Sequence, residues 1–227
     1  MRILTTICLT LAFATAAIAQ SITIAAARAA GPSATPVTVT GVITNGTELG
    51  PVRYIQDATG AMALYNSATA FQSATPVGTT VTVTGVLVNY KGICEMSPVS
   101  SYTVITPSQP LPTPLATNAA GINEANEGIL VSIPNCHFTS TGNFVYTAAG
   151  YTLTDGAGAS FKLFLRNGHP LVGTPIPNLP VTITGICSQF DNAALATDNF
   201  NTTTTGRSEE TRLNSSHGGI SRMPSSA

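Results

Sequence analysis

Tryptophan is absent from this chain and charge is scarce: 9 Lys and Arg and 10 Asp and Glu among 227 residues. Few Lys and Glu with abundant Thr and Val is the profile of a β-rich secreted bacterial protein, not of a helical cytosolic enzyme. No basic run is present. Between Gln20 and Thr205, five cations stand against eight anions. A mildly acidic body of this kind argues against salt-driven, non-specific binding to a nucleic-acid backbone. Beyond the N-terminus no apolar run is long enough to span a bilayer.

Recognisable catalytic and metal signatures are missing as well. There is no G-x-S-x-G and no C-x-x-C or H-x-x-x-H spacing. Cys136-His137 places neighbouring strand residues on opposite faces. Asp155-Gly-Ala-Gly-Ala lacks the further acids of a calcium loop and reads as a turn. The chain is therefore expected to be no enzyme in itself and to need no cofactor or metal.

What is present begins with an address. Met1-Arg2 is a short positive start, Ile3 to Ile18 is apolar, and Ala17-Ile18-Ala19 is a cleavage site. Residues 1–19 are read as a signal peptide, with the mature chain starting at Gln20 and released to the periplasm, the cell surface or the medium. Four cysteines occur, and Cys8 leaves with the signal. Of the remaining three, Cys136 and Cys187 could pair and leave Cys94 free, or all three could be small core residues. The second alternative is preferred.

Three copies of one stretch organise the rest: Val37-Thr-Val-Thr-Gly41, Val81-Thr-Val-Thr-Gly85 and Val181-Thr-Ile-Thr-Gly185. Strict alternation is the period of a half-buried strand, valine toward a core and threonine toward water. A glycine inside a strand that continues past it marks a bulge or a sharp bend at a barrel corner. After an extended lead-in, Ser21 to Pro36, the first half reads strand, turn, strand (Val52 to Gln56), turn (Asp57-Ala-Thr-Gly60) and strand (Ala61 to Tyr65). A connector with room for a short helix follows, anchored by Phe71. Two strands complete this half, the last of them interrupted at Pro98. The second half repeats this order through Ile129 to Phe138, Tyr151 to Thr154, the Asp155 turn, Phe161 to Leu165 and Pro180 to Cys187. Between the halves, Pro107, Pro110, Pro112 and Pro114 make a stiff extended linker.

The fold expected is all-β: two tandem five-stranded Greek-key barrels of the OB type. Module 1 spans residues 20–106, the linker 107–117 and module 2 118–205. A single β-sandwich of about ten strands is the alternative.

The run Asn45-Gly-Thr-Glu-Leu-Gly-Pro-Val-Arg-Tyr-Ile-Gln-Asp57 behind the first repeat resembles secreted bacterial OB-fold modules that occur in tandem at the N-terminus of larger exported proteins. Glu127-Gly-Ile-Leu-Val-Ser-Ile133 through Tyr151-Thr-Leu-Thr-Asp155 resembles their usual partner module. The resemblance covers residues 30 to 195. It implies nucleic-acid binding by fold analogy, and a nuclease-type or sorting domain downstream that this sequence does not contain. Residues 191–205 depart from the pattern, with no clear final strand. Gly206 to Ala227 shifts abruptly to charged, serine-rich composition with no β pattern, and resembles translated sequencing-adapter readthrough. It is expected to be structureless, with the natural chain continuing differently after Thr205, and His217 and the arginines of this tail are set aside.

OB-folds bind on the strand 2–3 face and its flanking loops, where aromatics stack rings and cations hold phosphates. The candidate ligand-binding residues are Arg53 and Tyr54 on the second strand, Tyr65 ending the third, and Tyr90 and Lys91 at the next turn. In module 2, Lys162, Phe164 and Arg166 share one strand face, with His169 just beyond. The chain is expected to act as a monomeric accessory binding module, away from the membrane once the signal is cleaved. Its expected ligand is single-stranded nucleic acid, or alternatively an extracellular protein or polysaccharide.

Overall fold

The computed structural model describes residues 21–147 and 149–189, and the backbone of 212–214 and 220–222. The signal peptide and residues 191–205 lie outside the described residues.

The lead-in is not extended. Thr23 caps a helix, α1 (Ile24–Ala30), its Oγ1 accepting from the Ala26 amide at 3.2 Å. Alanine is the strongest helix former, and Ile24-Ala-Ala-Ala-Arg-Ala-Ala30 can bury Ile24 and Ala27 on one side. Five strands follow: β1 (Ser33–Ile43), β2 (Val52–Gln56), β3 (Ala61–Tyr65), β4 (Thr80–Tyr90) and β5 (Ile93–Thr106). The connector between β3 and β4 holds the short helix α2 (Thr69–Ala74), with Phe71 fully buried. The strands close into a barrel in the order β1-β2-β3-β5-β4, every pairing antiparallel except β3 with β5. The last strand runs unbroken through Pro98, with register shifts in its pairing to β4.

The repeated stretch does what its period requires. Val39, Val81 and Val83 are buried in the first barrel, and Val181 and Ile183 in the second module. The threonines do more than meet water. Thr38 lies opposite Thr84 and Thr40 opposite Thr82, and each pair joins its hydroxyls at 2.8 Å across β1 and β4. Gly41 stands where β1 passes from β4 to β2, and a Cβ there would sit 2.6 Å from the Gln56 carbonyl oxygen. At Gly85 the β4–β5 register shifts on both sides, and a Cβ would lie 2.4 Å from the Pro98 oxygen. Both glycines are the tight corners of the barrel.

The second module comprises β6 (Leu115–Ala116), β7 (Leu130–Phe138), β8 (Tyr151–Thr154), β9 (Ser160–Phe164) and β10 (Val181–Ser188), with β11 (Arg212–Asn214) and β12 (Ile220–Arg222). They form a seven-stranded sheet, β12-β10-β11-β9-β8-β7-β6, in which β10 also pairs with β7. The tail expected to be structureless thus contributes two short strands. An edge left open between β9 and β10 presents unpaired backbone groups, and backbone pairing asks little of side-chain identity. β6 belongs to the proline linker, whose end therefore joins the sheet it leads to. At its start, Gln109 donates its amide to the Gly78 carbonyl of module 1.

The two modules share a further device. Asp57, in the β2–β3 turn, accepts from the amides of Thr59 and Gly60 and reaches back to the Ile24 amide that opens α1. Asp155, in the β8–β9 turn, accepts from Ala157 and Ala159 and reaches back to Ala119, the first residue of a 3-10 turn. Burial pushes the Asp57 carboxyl up, but its hydrogen bonds outweigh this and hold it below the usual carboxylate range. The Ala119 amide, aided by the turn amides, does the same for Asp155.

Each module has its own apolar core, and a third cluster joins them: Leu49, Tyr54, Ala63 and Ile93 from the barrel against Leu130 and Ile186. Glu127 is the polar centre of the junction. Its carboxylate accepts from Arg28 of α1, from the Cys94 amide of β5 and from Gln189 beyond β10. Gln56 Oε1 accepts from the Leu130 amide at 3.0 Å. Cys94, Cys136 and Cys187 are all buried free thiols.

Candidate functional site: a cleft between the modules

Strand parity decides which side chains can meet at this junction. On β2, Val52 and Tyr54 point outward from the barrel toward the second module, as do Ala63 and Tyr65 on β3 and Ile93 and Glu95 on β5. With Tyr90 at the end of β4 they form one wall of a cleft of about 800 Å3. The opposite wall is built by Tyr146 before β8, by Phe164 at the end of β9 and by Arg166 just after it. Tyr65, Tyr90 and Tyr146 are 41%, 51% and 49% exposed, so both modules contribute partly exposed rings to the cleft. Tyr146 and Phe164 stand edge to face with centroids 6.5 Å apart.

At the floor, Tyr54 is buried and its hydroxyl shares a 3.0 Å hydrogen bond with Ser188. Burial raises its pKa strongly, so it stays a neutral donor or acceptor. Arg166 donates from Nη1 to the Leu49 carbonyl at 2.8 Å, which lays its guanidinium against Gly50 at the rim. A Cβ on Gly50 would fall 2.6 Å from the guanidinium carbon, and its φ of 67° is itself a conformation that favours glycine. Glu95 is the one acid in the lining among the described residues; burial pushes its carboxyl up to about 7.

Of the eight residues singled out from sequence, the cleft unites five: Tyr54, Tyr65, Tyr90, Phe164 and Arg166. Arg53 is corrected. It faces away from the cleft, is 1% exposed, and spends its donors on the carbonyls of Gly46, Gly50, Val52 and Thr75. It holds the turn before β2 against the end of α2 and is closed to a ligand. Lys91 occupies a left-handed turn position (φ 55°) outside the cleft lining. Lys162 donates to the Ala149 carbonyl at 3.0 Å and is not in the lining, so only two members of the expected cation–aromatic–cation stripe reach the cleft. His169 is buried, with Nδ1 accepting from the Leu171 amide, and serves its own turn.

Two lining residues of consequence were not foreseen. Glu95 had a signal, an acid inside the apolar run Ile93-Cys-Glu-Met96. Tyr146 lies in a loop, where no periodicity announces which way a ring turns. No cluster of three His, Cys, Asp or Glu suited to a metal occurs among the described residues.

No family model matches the chain. No curated protein matches it either. Among solved structures it is similar to one described as the hypothetical protein ygiW from E. coli, at 18% identity over 38% of this chain and 90% of that one, with a TM-score of 0.33.

Proposed function

We propose that this chain is an exported accessory binding module, two OB-type barrels in tandem, that holds a polysaccharide segment in the cleft between them. The observation that carries the reading is the cleft itself: three exposed tyrosines contributed by both modules, around a space with one arginine among its described residues. Its volume lies in the range of small-ligand sites. Oligosaccharides and oligonucleotides are the ligands OB-folds take on the strand 2–3 face, which is the face β2 and β3 present here. A single strand of nucleic acid asks for a positive groove along its backbone as well as stacking rings. One arginine in an acidic body is a poor groove, whereas a sugar ring needs a flat apolar partner and neutral hydrogen-bonding groups such as that of Asn167.

The tandem-barrel part of the proposal is supported by β7, β8, β9, β11 and β10, which repeat the pairing order of the first barrel, including its single parallel pair. Export is supported by the N-terminal address. Single-stranded nucleic acid is the second reading, favoured by Arg166 beside Phe164 at the cleft mouth.

Calorimetric titration of the purified chain with neutral oligosaccharides, and fluorescence titration with a single-stranded oligonucleotide, separate the two. The polysaccharide reading expects saturable binding that changes little with salt and falls at least about tenfold in Tyr65→Ala, a loss of roughly 1.4 kcal/mol. Steeply salt-dependent oligonucleotide binding, lost in Arg166→Ala, would replace it with the second reading.

A further inference from the structure

Glu95 is the group that ring stacking alone leaves without a role. Its residue is 4% exposed and lines the cleft, yet its carboxyl makes no hydrogen bond or ion pair among the described residues. Burial takes most water away from this carboxyl, and no described residue replaces it. Buried ionised carboxylates are expected to be paired or to coordinate a metal; this one is neither.

The groups around it come from every wall. Tyr65 and Tyr90 stand on the two strands beside β5, Tyr54 stands one strand further on β2, and Tyr146 and Arg166 line the cleft from the second module. No described cation lies within 4.0 Å of it, and Arg166 is held at the rim by the Leu49 carbonyl. The cleft therefore offers an uncompensated acid inside a ring of tyrosines. Aromatic faces carry negative quadrupole charge and attract cations as well as flat rings. A neutral sugar would leave the acid unpaired, and a phosphate would repel its ionised form.

We propose that the cleft selects a polysaccharide unit bearing a free, protonated amine, with Glu95 as the counter-ion of that amine and the tyrosines as the platform for its ring. The proposal rests on the polysaccharide reading above and names the substrate class of the same site. Bound amine stabilises the ionised carboxylate, so the preference peaks where the carboxyl has lost its proton and the amine has kept its own, and it falls on either side. The acidic body helps at a distance, since it attracts a cationic chain and repels an anionic one.

The test is calorimetric titration of the purified chain with a β-1,4-linked glucosamine hexamer and with its fully N-acetylated counterpart, from mildly acid to neutral pH. The wild-type chain should favour the amine form by about 10- to 100-fold at the pH of that peak, the range expected of a charged hydrogen bond. Glu95→Gln should abolish that preference and its pH dependence. The wild-type comparison of the two hexamers decides even if the variant fails to fold. Equal affinity for the two, or a preference that survives Glu95→Gln, overturns the amine proposal and leaves the polysaccharide reading standing. Binding of neither hexamer sinks both.

Discussion

Replacing Arg28 should damage this protein far more than its place in a seven-residue N-terminal helix suggests. Its guanidinium donates to Glu127 Oε1 and, at 3.1 Å, to Glu124 Oε1, and the Glu127 side chain is only 1% exposed. Burial alone would lower the Arg28 pKa, but Glu127 and its neighbours raise it overall. Arg28→Met keeps the aliphatic stem but leaves a carboxylate inside the junction with two neutral donors, Cys94 and Gln189, in place of a counter-charge. Leaving one partner of a buried pair alone costs about 3 kcal/mol or more. For a chain of this size that is a fall of roughly 6–12 °C in melting temperature. Urea unfolding followed by far-ultraviolet dichroism measures it, and the double variant Arg28→Met/Glu127→Gln closes the cycle. The double variant should be more stable than Arg28→Met alone, because the orphaned charge is gone. A loss below about 1 kcal/mol in the single variant, the level of an exposed ion pair, would refute the buried-hub reasoning.

Gly85→Ala should cost about 1–3 kcal/mol in the same denaturation experiment, because the new methyl meets the Pro98 carbonyl and Met96 at the barrel corner. Asp155→Ala should lower stability at neutral pH. The folded carboxyl titrates below its ordinary value of 3.8, so its contribution is whole above that value and is lost as pH falls through the folded pKa; the gap between wild type and variant should close in acid, as pH-dependent unfolding will show. Burial raises the thiols of Cys136 and Cys187 to about 12 and that of Cys94 to about 11. All three should resist iodoacetamide in the folded chain at pH 8 and react once it is unfolded, with mass spectrometry counting the adducts.

The barrel strands were legible because alternation of valine with threonine admits one burial pattern, and the corner glycines because a strand that continues past glycine has to bend there. α1 lies in a run of small residues that reads as extended; its alanines, and Thr23 before them, are the better guide. Parity also separates Tyr54 from Arg53. Adjacent residues on β2 cannot share a face, and of the two only the tyrosine reaches the cleft. What could not be read from the chain is the meeting of the modules. Glu95 and Tyr146 line one cleft, and Tyr54 bonds to Ser188, only because the barrel and the second sheet pack together, and no local period encodes that. The tail strands were invisible for a different reason, since they are held by backbone pairing to an open edge.

The cluster joining the modules also imposes an order on how the molecule can be made. All five strands of the closed barrel are complete by Thr106, yet Leu49, Tyr54 and Ile93 on its outer wall are covered by Leu130 and Ile186, which come later in the chain. Domains emerge N-terminus first during synthesis. For the time it takes to extend from Thr106 to Ile186, the first barrel displays a greasy, tyrosine-rich wall. The second module is what covers that wall, and a chain cut between them should expose it.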